Sequence, residues 1–599
     1  MNRIYLAVTA AIGLHAPTAL AQNSGTLLIN DVQAILYSNG LIGPDGSGGH
    51  GFLVPAADGT SPMYSSGLWM AGVAPGGQLK MAAHLFGGDS ERDFFPGPLT
   101  VDGSASITPE VSQQYDQVWS ILRADVDQHR AWSACVSDPN CDVDEEFPNG
   151  YTVPAAFLNW PALGDVEAGQ ALYLAPFVDY DEDGNYDPYS GDYPCVPGDQ
   201  ALYVIFNDKA DVHTQSGSQP IGVEVHMTLF AYDSDDPALA QTIFVRYRII
   251  NRGTQTLEGF RLAHFADLDI GCSEDDHVGT DVGRALVYAV NGDDVDQNCL
   301  GVEGYGDQPP AFGMAILHGP LMDADGLDNA DDPALPAFNG TGYSDGYIDN
   351  ERHGLSNAMY FMREGVNTEM TDPGLAVHYY NYIRSSWKNG LPLSYGGNGY
   401  STVPEAFEAL FAFQGDTDPQ GLGTEGVPQA PWTEATAGNV PGDRRALAAM
   451  GPITLEPGQT QDLLVGYVYA RATSGGAAAS VVALQQRTDI IRAFAETIPG
   501  IMAPGNACDA LPTGIVDVIV EPEVLELFPV PANDRIIVRT GSLKPGTQLQ
   551  LIDGRGALVT QQTVVGMYTG FDLERLPAGL YAVRATEGIS VHLGRFVKE

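Results

Sequence analysis

The sequence predicts a mostly β, multidomain protein: a β-sandwich body with a few packed helices and a C-terminal Ig-like β-sandwich. Three observations carry that prediction. Its 599 residues hold 70 Gly and 40 Pro, which cut the chain into short segments, and 22 Phe with 27 Tyr, which favour pleated, half-buried strands. Apolar runs of strand length recur at Ala201 to Phe206, Gly222 to Tyr232, Thr242 to Asn251, Gly259 to Ala266, Ala285 to Val290 and Leu463 to Ala470. Finally, 44% hydrophobic content is ample for cores, and at about 100–200 residues per domain the length suggests about three or four of them.

Taken in order, the chain opens with Arg3, an apolar stretch from Ile4 to Leu14 and the small-residue site Ala19-Leu20-Ala21. Residues 1–21 therefore read as a secretory signal peptide. No other apolar run approaches the length of about 18 residues that a membrane helix requires, so the mature chain is expected to have no transmembrane segment. Residues 22–150 read as a β-rich region with one helix, Tyr115 to Arg130, which places Val118, Ile121, Leu122 and Val126 on one face. Residues 151–510 read as a central β-sandwich. Within it Gly222 to Ala266 suggests a three-strand meander, and Ala376 to Lys388 and Ala478 to Phe494 suggest helices. A stretch rich in Pro and acid at 511–521 is the expected linker to a last domain, 522–599.

With 28 basic and 76 acidic side chains the net charge is −48. That excludes nucleic acid and anionic membrane surfaces as partners, since affinity for such polyanions comes from Lys and Arg displacing counterions. Six cysteines fit an oxidising compartment. Cys135 and Cys141 flank a turn and form the expected local bridge, Cys272 and Cys299 bracket an acidic segment, and Cys195 and Cys508 are left over.

Acidic loops raise a calcium question. Asp179, Asp181, Asp183 and Asp187 occupy positions 1, 3, 5 and 9 of a loop with Gly184 at position 6, the spacing that wraps oxygen ligands around one Ca²⁺. Position 12 is Ser190, with Asp192 just beyond. The flanks are strand-like and broken by Pro188, so the loop resembles the calcium loops of dockerin or thrombospondin type 3 repeats. In a second cluster, Asp267 and Asp269 share a strand face by alternation, and the turn at Gly271 can fold Asp275, Asp276 and Asp281 back toward them. This cluster reads as a structural cation site, as a solvated or hydrogen-bonded turn, or as paired carboxylates of a glycosidase, with Asp267, Asp269 or Asp276 among them. A third set, Asp323, Asp325 and Asp328 with Gly326, followed by Asp331, Asp332, Asp345, Asp349 and Glu351, resembles the Asp-x-Asp-Gly-x-x-Asp phrasing of secreted calcium loops less completely than the first and is a further candidate metal site.

Other catalytic patterns fail on context. Gly342-Tyr-Ser344-Asp-Gly346 lacks the strand-to-helix turn of a nucleophile elbow, and Gly46-Ser-Gly48-Gly-His-Gly51 precedes no helix. Trp69, Trp119, Trp132, Trp160, Trp387 and Trp432 are either sugar-stacking platforms or core residues.

From Leu527 the chain reads Leu-Phe-Pro-Val-Pro-Ala-Asn-Asp-Arg-Ile-Ile-Val, then Leu551-Ile-Asp-Gly-Arg-Gly-Ala-Leu-Val559, Leu576-Pro-Ala-Gly-Leu-Tyr-Ala-Val583 and a basic end at Arg595 to Lys598. This string resembles the type A C-terminal sorting domain of type IX secretion cargo, with Val530 standing where that family has Asn between the prolines. The resemblance implies recognition of residues 522–599 by the type IX translocon, passage through the outer membrane and a secreted or surface-attached destination. Phrases of the body, among them Ser66-Gly-Leu-Trp-Met-Ala-Gly-Val73 and Gly451-Pro-Ile-Thr-Leu-Glu-Pro-Gly458, resemble large secreted proteins that carry the same domain; this likeness implies no activity. The expected function is a noncatalytic, calcium-stabilised adhesin or binding protein for a glycan or another cell surface. The alternative is a secreted hydrolase acting on polysaccharide.

Overall fold

The computed structural model describes residues 23–87, 91–330, 340–404, 406–498, 523–525, 527–540, 543–544, 546–553, 558–587 and 590–598. The signal peptide, the linker and Cys508 lie outside them. Two compact units, Met1–Leu511 and Pro512–Glu599, make up the chain.

The first unit is built on two antiparallel sheets. Five strands lie in the order Asn357–Met362, Arg444–Leu455, Leu257–Leu268, Ser65–Ala74 and Gln78–Ala83. The other sheet runs Asp276–Asp281, Leu286–Asn291, Ala311–His318, Thr460–Ala470, Thr242–Asn251, Val223–Ala231, Gln200–Asn207 and Phe95–Pro96, with Trp119–Leu122 also paired to Gln200–Asn207. One core joins the two, with Trp69, Phe265 and Leu447 meeting Val204, Met227, Tyr247 and Tyr467. A second core covers the far face of the larger sheet, where Tyr203, Phe230, Phe244 and Leu464 meet Leu484 and Ile491 of helix Gly476–Ala495. Strand Gln200–Asn207 is buried along its whole length because its alternate side chains enter different cores. That is why its sequence is a continuous apolar run rather than an alternating one.

Three expectations change. Trp119–Leu122 is a strand, and the helix begins only at Arg123, running to Ser137. The buried Trp119 and Ile121 alternate with exposed neighbours, and pairing with Gln200–Asn207 supplies backbone partners that local helical periodicity cannot foresee. The meander is a two-strand hairpin. Thr242–Asn251 has Val223–Ala231 on one side and Thr460–Ala470 on the other, so Leu257–Leu268 crosses to the smaller sheet. The helix at Ala376 stops at Ile383, and Trp387 packs from the following loop, its Nε1 donating to Gly399 O at 2.8 Å.

Residues 22–150 and 151–510 interleave within the same sheets, since Ser65–Ala74 pairs with Leu257–Leu268. The bridges Cys135–Cys141 and Cys272–Cys299 are formed, and Cys195 is disulfide-bonded as well. The second unit is a β-rich sandwich of a five-stranded and a three-stranded sheet around Leu549, Leu551, Val583, Ile536, Val538 and Phe571. No helix among the described residues is long and apolar enough to cross a membrane.

Candidate functional site

The first acidic loop is closed at its base by the antiparallel pair Phe177–Val178 and Tyr193–Pro194. Gly184 and Glu182 take left-handed backbone, φ 81° and 59°, which tightens the turn enough to bring oxygens of Asp179, Asp181 and Asp183 within 4.8 Å of one another. Backbone N–H groups hold them: Asp183 N donates to Asp179 Oδ1 at 3.1 Å, Gly184 N to Asp179 Oδ2 at 2.7 Å, and Asn185 N to Asp183 Oδ1 at 2.7 Å. Asp187 turns elsewhere, accepting from Tyr189 N and Ser190 Oγ. Asp192 is buried under the loop and accepts from Tyr180 N at 2.8 Å and Asp187 N at 2.7 Å. Burial pushes its carboxyl up to about 6. Tyr180 and Tyr189 stand out at 44% and 67% exposure.

The second cluster gathers different residues from those its sequence neighbourhood suggested. Asp267 is the penultimate residue of strand Leu257–Leu268, directly opposite Arg445, and Asp269 lies just beyond the strand. Asp443 immediately precedes the partner strand Arg444–Leu455. Oxygens of Asp267, Asp269 and Asp443 lie within 4.8 Å of one another. Arg445 Nε is 3.3 Å from both Asp267 Oδ1 and Asp372 Oδ1, and its Nη1 donates to Asp443. At the rim, His50 Nε2 is 3.8 Å from Asp269 Oδ2, and Arg363 Nη1 is 3.8 Å from Asp443 Oδ2. Asp267 and Asp269 are only 3% and 7% exposed. Burial, then Asp269 itself, holds the Asp267 carboxyl well above the usual carboxylate range, while burial, then Asp443, pushes Asp269 up to about 8. Burial also pushes Asp372 up to about 6.

The remaining acids diverge. Asp276 Oδ2 accepts from Ile270 N at 2.9 Å, and Asp275, pushed up to about 6 by burial, joins no converging group of three among the described residues. Asp281 lies at the far end of its strand, bound to Arg284 Nη1 and Gln485 Nε2, both at 2.9 Å. Asp323 accepts from Thr454 N and Oγ1, Asp325 from Leu327 N, and Asp328 from Gly346 N. These three form no converging group among the described residues, and Asp331 and Asp332 lie outside them. Of the tryptophans, Trp69, Trp119, Trp160, Trp387 and Trp432 are buried, whereas Trp132 is half-buried and stacks on Tyr151 at 4.9 Å.

A cleft of about 500 Å³ lies beside the second cluster, lined by Glu274, Met362, Arg363, Asp443 and Arg444 among others. Asp443 belongs to both cluster and cleft; Asp267 and Asp269 do not line it. Asp372 and Asp443 were beyond sequence reasoning. The one available signal was the Asp-Arg-Arg run at 443–445, and only strand pairing says what it faces.

Residues 526–599 match the secretion system C-terminal sorting domain. No curated protein matches the sequence. Among solved structures, a polysaccharide lyase aligns at 9% identity over 63% of this chain and 34% of its own, with a TM-score of 0.17. The chain thus spans about a third of that lyase's length. PorZ, described as an essential bacterial surface component of the type IX secretion system of Porphyromonas gingivalis, aligns at 10% identity over 96% of this chain and 75% of its own, with a TM-score of 0.12. At such scores neither likeness bears on fold or function.

Proposed function

We propose that this cargo of type IX secretion, secreted or held at the cell surface, is a noncatalytic binding protein that uses Ca²⁺ in the 179–187 loop to engage a glycan or another cell surface. The observation that carries the reading is the convergence of half-buried Asp179 with exposed Asp181 and Asp183 in a segment that also exposes Tyr180 and Tyr189. Three carboxylates held this close repel unless a cation joins them, and Ca²⁺ accepts about 6–8 oxygen ligands. With Asp187 and Asp192 engaged by backbone and hydroxyl donors, the ion keeps positions open for hydroxyl groups of a ligand. Tyr180 and Tyr189 supply ring faces for stacking on a sugar. In a binding assay on immobilised polysaccharides and whole cells, retention is expected with Ca²⁺, with a loss of about tenfold, or about 1.4 kcal/mol, on chelation, in Asp181→Asn or in Tyr189→Ala. Retention indifferent to chelation and to Asp181→Asn would sink this reading.

The hydrolase reading rests on Asp269, whose raised carboxyl holds the proton a general acid needs. A glycosidase, however, presents both carboxyls to the scissile bond, and of the three converging acids only Asp443 lines the cleft. Polysaccharide cleavage by the purified chain, lost in Asp269→Asn with the fold intact, would restore catalysis as the function.

A further inference from the structure

We propose that Asp267, Asp269 and Asp443 form a second, buried centre for a hard divalent cation, Ca²⁺ in the extracellular medium, independent of the 179–187 loop. Convergence of acids is one observation. The second is that Asp267 Oδ1 and Asp269 Oδ1 are buried and accept no hydrogen bond, in side chains nine-tenths or more buried that each bring an oxygen within 4.8 Å of the other two acids. Buried carboxylate oxygens without a donor are costly, and native proteins leave few of them.

Arg445 relieves them only in part, its Nη2 donating to Asp267 Oδ2 at 3.5 Å. Its guanidinium serves Asp443 and approaches Asp372, but its Nε, 3.3 Å from Asp267 Oδ1, makes no hydrogen bond with it. Among the described residues, the ion pair of Asp269 is with His50, at 3.8 Å. Charge gives the same answer. When ionised, as ligation to a cation requires, the four carboxyls of Asp267, Asp269, Asp372 and Asp443 set against Arg445 and Arg363 leave two negative charges, which one divalent ion balances. All three converging groups offer carboxylate oxygen and none offers sulfur, the donor set of Ca²⁺ or Mg²⁺ rather than of a thiolate-seeking metal. The ion ties the end of Leu257–Leu268 to the chain entering Arg444–Leu455. Through Asp443 it also fixes one wall of the cleft.

The test separates this centre from the loop. The full mature chain carrying Asp181→Asn and Asp183→Asn, dialysed into metal-free buffer, is expected to keep one equivalent of metal by elemental analysis; adding Asp443→Asn should remove it. The loop variant should also melt lower after exhaustive chelation and recover with Ca²⁺, a readout that needs no change in the buried acids. A loop variant with no residual metal and no calcium-dependent melting shift overturns the buried centre while leaving the loop reading intact. Retention of the equivalent in folded Asp443→Asn overturns it too. Loss of calcium-dependent surface binding alone touches only the loop.

Discussion

Glu224 is wholly buried in the larger sheet, where its Oε1 accepts from Arg252 Nη2 at 2.7 Å and His226 Nε2 at 2.8 Å, and its Oε2 from Leu99 N at 2.7 Å. Burial pushes the carboxyl up, but the Arg252 guanidinium, with His226, outweighs it and holds the group at about 2. Because the folded value lies below the unfolded one, the unfolded chain takes up this proton first as the solution is acidified. The stabilisation is therefore complete above about pH 4.5 and is lost as pH falls toward about 2. Glu224→Gln should remove that part of the acid limb in a denaturation series. By stranding Arg252 it should also cost about 3–5 kcal/mol at neutral pH; unchanged stability would show the network to be slack. None of this was legible beforehand. A Glu two residues before a His on an apolar strand reads as one face of a ladder, but Arg252 and Leu99 reach it only through folding. The same holds at the acidic centre, where Asp267 and Asp269 are near neighbours in the chain, while Asp443 arrives from the entry to a strand paired across the sheet.

Elements were legible where their signal was local. Helix Gly476–Ala495 follows its apolar period, and strand Thr242–Asn251 its apolar run. The 115–130 segment misleads because Trp119 and Ile121 satisfy both a helical stripe and an alternating strand, and the choice falls to the partner strand. At this scale the bridge Cys272–Cys299 carries its own prediction. It closes a separation of 27 residues around a segment in which Asp296 Oδ1 accepts from Cys272 N at 3.1 Å. Opening it with Cys272→Ala and Cys299→Ala should lower stability by about 3–4 kcal/mol through freed chain entropy, measured as a fall in denaturant midpoint. No change in midpoint would mean that hydrogen bonds alone hold the segment.

For the whole molecule, each of the two units has a core of its own. Calorimetry of the full mature chain should resolve a transition for each, and a chain ending at residue 521 should keep the body transition unaltered. Since 526–599 is the secretion sorting domain, the same truncation should leave the protein in the periplasm. Efficient export of the shortened chain would show that the body carries a second export signal.

The sequence by itself determined the β class, the sorting domain, the short bridge at Cys135–Cys141 and the spacing that folds Asp179, Asp181 and Asp183 together. These are all contiguous patterns whose geometry is set by turns and alternation over about ten residues. Only the tertiary structure decided that Leu257–Leu268 leaves the hairpin for the other sheet, and that Asp267 meets Arg445, 178 positions away. The reason is physical: sheet partners are chosen by the burial of two faces at once across the whole unit, and no local periodicity encodes that choice.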